Sequence, residues 1–80
     1  MRPERIREAL RAEPFRPLRV FLSDGSRHDV PHPEFAFVAT HQLVIARDPN
    51  THGVPRHTVT VNPIHVTRIE VLENGQGDES

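Results

Sequence analysis

The sequence predicts a mainly β domain: a short N-terminal helix followed by a small, strongly bent antiparallel barrel of five or six strands. Three observations predict it. Asp24-Gly25 lies between two short strand-like runs within residues 15–30, which is a strong local hairpin signal. Further along, Val59 and Val61 alternate with Thr58 and Thr60, and Thr67, Ile69 and Val71 alternate with Arg68 and Glu70, the period of a half-buried strand. At the N-terminus, Pro3 suits a first helical turn and Ile6, Ala9 and Leu10 recur at helical spacing.

In chain order, Glu4 complements the positive end of the helix, and Glu4 with Arg7 and Glu8 with Arg11 are neighbours three residues apart. A helix this short needs a surface to lie on. Ile6 and Leu10 are expected to dock it over one open end of the barrel. The helix is expected to end near Ala12 or Glu13, where Pro14 and Pro17 turn the path into an extended approach to the first strand. Leu18, Val20 and Leu22 should face one side of that strand, and Arg19, Phe21 and Ser23 the other. The tip is expected to be a two-residue loop with positive φ at both Asp24 and Gly25. Beyond it, Pro31 and Pro33 force the second strand to be short or bent.

Residues 35–39 and 43–46 read as two apolar strands separated by a polar turn at 40–42, and residues 48–55 have the composition of a surface loop. Pro63 ends the 57–62 strand, Ile64 and His65 form one tight helical turn, and residues 66–72 make the last strand. One domain over 1–72 and a disordered acidic tail over 73–80 complete the layout.

Composition narrows the function. With 80 residues, four Phe, no Trp and no Tyr, the chain builds one small core and leaves no room for an enclosed substrate cavity. The absence of Cys excludes disulfides and thiolate metal sites. No segment has the apolar length of a membrane span or the layout of a secretory signal, so a cytoplasmic protein with no membrane partner is expected. His28 and His32 stand near Asp29 and Glu34, but Pro31 disturbs the geometry that four converging metal ligands need, and no metal or other cofactor is assigned. Ser23, Ser26, His28 and Asp29 crowd one hairpin in alternating directions and cannot converge as a triad, so the expectation is no enzyme and no catalytic residue.

All ten basic residues are Arg, and they are unevenly spread: residues 1–19 carry a net +3, whereas residues 70–80 hold four acids and no base. Arg5, Arg7, Arg11, Arg16 and Arg19, with His65, are the candidate contacts to nucleic-acid phosphate. The net charge of −1 and the scarcity of aromatics for base stacking weigh against a strong single-strand binder. A module that self-associates through open strand edges, or adds a partner's strand to them, is the favoured expectation.

The layout resembles Sm-like proteins of the bacterial Hfq type: an N-terminal helix, a hairpin tipped by Asp-Gly at Asp24-Gly25, and a last strand pair joined by one tight turn within residues 59–72. That resemblance implies a ring-forming barrel that binds RNA. At the positions matching the Lys-His pair of that family stand Pro63 and Ile64, with His65 the nearest imidazole, and Val30-Pro31 stands where the family bends its second strand at a Gly. The chain is also similar to a set of short uncharacterised bacterial proteins. The shared motifs are Arg7-Glu8-Ala9-Leu10, Pro14-Phe15-Arg16-Pro17, His32-Pro33-Glu34 and His65-Val66-Thr67-Arg68-Ile69-Glu70, and this likeness implies no particular activity.

Overall fold

The computed structural model describes residues 1–49 and 52–72. The predicted tail, with Glu73, Asp78 and Glu79, lies outside them. Helix α1 (Pro3–Leu10) opens on Pro3, carries Glu4 in its first turn and buries Ile6. It stops two residues earlier than expected, at Arg11, whose N–H reaches the carbonyls of Arg7 and Glu8 at 3.0 and 3.2 Å before the chain turns toward Pro14. Ala9 and Leu10 are half-buried beside Ile6, so one stripe of the helix packs on the core.

Six strands follow: β1 (Leu18–Leu22), β2 (Arg27–Val30), β3 (Ala36–Val38), β4 (Leu43–Pro49), β5 (Pro55–Val61) and β6 (Val66–Val71). They form two antiparallel three-stranded sheets, ordered β2-β1-β6 and β3-β4-β5. The expected barrel is therefore not closed among the described residues. The ladder breaks at Pro31-His32-Pro33, where neither proline can donate an amide hydrogen. Pro33–Phe35 winds instead into a single 3-10 turn, with Phe35 N–H donating to the His32 carbonyl at 3.0 Å, so β3 starts one residue later than the apolar run suggested. Strands β4 and β5 pair as far as Pro49 opposite Pro55, which shortens the expected 48–55 loop.

The first hairpin is where expectation suspected it, with one change. Gly25 has φ 91°, Asp24 does not have positive φ, and the Gly25 N–H donates to the Leu22 carbonyl at 3.0 Å while Leu22 N–H donates to Ser26. The loop thus has three residues, Ser23 to Gly25, ending in a glycine bulge. Asp24 Oδ1 accepts from the Ser26 backbone N–H at 2.8 Å and from Ser26 Oγ at 2.6 Å, which fixes the loop. This odd loop length sets Leu18 opposite Val30 and Arg19 opposite Asp29.

The core comprises Ile6, Leu18, Val20, Leu22, Val30, Leu43, Ile45 and Val66, drawn from the helix and both sheets. Burying each such side chain contributes about 1.5–3 kcal/mol. Val66 enters through an irregularity: Phe21 pairs with Arg68 and Leu22 with Val66, so Thr67 is an extra, bulged residue. Its Oγ1 donates to the Phe21 carbonyl at 3.2 Å. The turn before β6, Pro63–His65, matches expectation, and Asn62 caps it by accepting from the Ile64 N–H at 3.0 Å. Among the described residues no helix is long and apolar enough to cross a membrane.

Candidate functional site

The six candidate phosphate contacts do not converge. Arg5 is exposed and pairs with Glu8 at 3.7 Å, within the helix. Arg5 and Arg16 stand at the rim of an apolar groove of about 270 Å³, floored by Leu18, Ile69 and Val71 between α1 and the β6 edge. Arg7 lies apart from that groove, beside a depression shared with Val38 of β3 and Thr40 in the bend that follows it. Arg11 is exposed at the helix end, and its backbone closes the last turn.

Arg19 projects from the outer face of β1 and makes two bonds with Asp29, Nε to Oδ1 at 2.7 Å and Nη2 to Oδ2 at 3.1 Å. His65 is exposed, and only its backbone is held: its carbonyl accepts from Ser23 N–H at 2.8 Å and its N–H donates to the Asn62 carbonyl at 2.9 Å. A run of arginines close in sequence is thus spread over three separate surfaces of the fold.

The structure assembles a different group of arginines. Where the free edge of β2 faces β4, a seam cleft of about 380 Å³ is lined by Arg19, Arg27 and Arg47, from three strands, with Asp29, Asp48 and His28 among its other polar residues. The bidentate Arg19 contact holds the Asp29 carboxyl below its usual range, and Asp29 in turn holds the Arg19 guanidinium above its own. Asp48, in a left-handed conformation at φ 52°, places Oδ2 3.3 Å from His57 Nδ1. At the opposite edge of the first sheet, Arg68 lies 3.8 Å over the Phe21 ring and bonds Glu70 Oε2 at 3.0 Å, so that aromatic face is already covered.

Sequence reasoning missed Arg27 and Arg47. Arg27 was recoverable from the register: a three-residue loop puts Phe21 opposite Arg27 and Arg19 opposite Asp29, gathering the polar groups of the hairpin on one face. Arg47 was not, because its approach to β2 depends on how one sheet lies on the other.

No family model, no curated protein and no solved structure matches the chain. What the cleft, the groove and the strand edges can do follows from their own chemistry. Among the described residues no three His, Asp or Glu side chains gather closely enough to hold a metal ion, and His28, His32, Asp29 and Glu34 do not form such a group.

Proposed function

We propose that the protein is a non-enzymatic assembly module that joins to copies of itself through the free edges of β5 and β6. One observation carries this reading: these two strands are each paired on one side only, and they are long and rich in β-branched residues, with Thr58, Val59, Thr60 and Val61 in one and Val66, Thr67, Ile69 and Val71 in the other. Neither has an internal Pro or a Lys, and the Thr67 bulge of β6 lies near its start, away from Ile69 and Val71. The other two edges are guarded. β2 has four residues and runs into Pro31, and β3 has three.

The amides available for pairing follow from the ladders. Ala39 N–H bonds the Gln42 carbonyl, so alternate residues Leu43, Ile45 and Arg47 direct their backbone groups to β5, and Thr58 and Thr60 direct theirs outward. Leu72 N–H bonds Pro17 in the same way, which leaves Ile69 and Val71 facing outward on β6. Two different open edges per copy suit a head-to-tail contact, which continues until rotation closes a ring. The resemblance to the ring-forming Sm-like proteins points the same way. Nucleic-acid binding through α1 draws less support, since Arg5 and Arg7 serve different surfaces.

Sedimentation of the full chain at tens of micromolar should give a discrete oligomer. Thr60→Pro and Val71→Pro each remove one outward N–H without breaking an internal ladder bond, and each should reduce the mass. Mixing the two variants should restore a dimer through the intact edges. A monomeric parent chain, or variants that assemble like the parent, would overturn the reading.

A further inference from the structure

We infer that the seam cleft between β2 and β4 binds a small phosphate monoester, with Arg27 and Arg47 as the two groups that clamp it. The charges within the cleft carry the step. Of its two carboxylates, Asp29 accepts from Nε and Nη2 of Arg19, and Asp48 faces His57 across 3.3 Å. Arg27 and Arg47 line the same cavity; Arg27 adds to the positive field on Asp29, and neither guanidinium is tied to a described residue by a hydrogen bond or a close ion pair. Three guanidinium groups against two carboxylates leave the cleft a net charge of +1, and the donors of Arg27 and Arg47 are open to a phosphate monoester, which carries about −1.5 to −2 at neutral pH.

The backbone adds donors. Leu22 N–H bonds the Ser26 carbonyl, so Leu18, Val20 and Leu22 direct their backbone groups to β2, and the partners His28 and Val30 answer them. Arg27 and Asp29 thereby direct their amides away from β1, across the free edge of β2 into the cleft. The rest of the lining sets the ligand class. A volume of about 380 Å³ exceeds what a bare phosphate needs and falls within the range of small organic ligands. Phe35, Pro31 and Ala46 supply an apolar wall, and Phe35 is braced edge-on by His32 at 5.7 Å between ring centroids. A planar apolar group bearing one phosphate fits this arrangement. Arg19, fixed by Asp29, is a positioned third cation at the rim.

Phenyl phosphate is the probe, titrated into the full-length chain while the backbone amides and the arginine Nε–H signals are followed by NMR. Saturable shifts should appear at the Nε–H of Arg27 and Arg47 and at the amides of Arg27 and Asp29. Benzenesulfonate, of similar shape with one negative charge, should bind about tenfold more weakly. Arg27→Gln and Arg47→Gln should each weaken phenyl phosphate about tenfold, and Arg11→Gln, remote from the cleft, should leave it unchanged. Equal melting temperatures for the three variants and the parent establish that folding is intact.

Shifts that stay linear with concentration, or an equal loss in Arg11→Gln, would overturn the site. Inorganic phosphate binding as tightly as phenyl phosphate would overturn the part given to Phe35 and Pro31. None of these readouts depends on self-association, so the cleft and the strand edges stand or fall separately.

Discussion

Arg19 and Asp29 show how one register decides a residue's role. With 35% and 51% of their side chains exposed, the pair is screened by solvent, and its stabilisation is small. It is nevertheless visible in pH dependence. The folded Asp29 carboxyl lies below its unfolded value, ordinarily about 3.9, so its contribution is complete above that value and is lost as pH falls through the folded one. Arg19→Gln should move the Asp29 carboxyl upward in a carbon-detected NMR titration and flatten the acid limb of the stability curve; an unmoved Asp29 would mean the contact is absent in solution. Gly25 is the other decisive single residue. A Cβ there would meet nothing within 4 Å, so the cost of Gly25→Val comes from the backbone, whose φ of 91° a β-branched residue strongly resists. Denaturant unfolding should register a loss of about 1–3 kcal/mol, and an unchanged midpoint would contradict the bulged loop.

Among the elements, β6 departs most from its apparent pattern. Strict alternation puts Val66 on the opposite side from Ile69 and Val71, yet Val66 is 3% exposed and belongs to the core, because the bulge at Thr67 turns it back inward. Val66→Ala should therefore cost about 2 kcal/mol, as a core truncation does, whereas Thr67→Val, which removes only the bond to Phe21, should cost about 1 kcal/mol or less. Urea midpoints of the two variants check this, and a neutral Val66→Ala would return β6 to regular pairing. The same comparison marks how far sequence reaches. The helix, the Asp24-Gly25 hairpin, the turn at Pro63–His65 and the alternation of β5 are legible because each rests on local chemistry: a proline, a glycine, a period of two. Loop length was legible in principle, since only an odd loop sets Val30 opposite Leu18 on the buried face. The bulge was not, because it answers to β1, more than forty residues away in the chain. The arginines near the N-terminus looked like a patch for a related reason: closeness in sequence says nothing about which sheet each one faces.

At the scale of the whole molecule, the two sheets are made in different ways. Strands β3, β4 and β5 are consecutive and pair with their neighbours, whereas β1 must pair with β6 across most of the chain. Local pairing carries the smaller loop-closure cost, so the β3-β4-β5 meander should form early and the β1–β6 ladder late. Ile45→Val in the first and Ile69→Val in the second separate the two: the former should slow refolding and the latter should mainly speed unfolding, and the reverse partition would refute the order. A consequence reaches the chain as it is synthesised. Until residues 66–71 have been added, β1 is a ready strand with one side unanswered, carrying Leu18, Val20 and Leu22 without the strand that completes their sheet. Any nascent or prematurely ended chain that stops short of Val66 is thus a template in search of a strand, and the nearest strand of the right kind is the β6 of a finished copy.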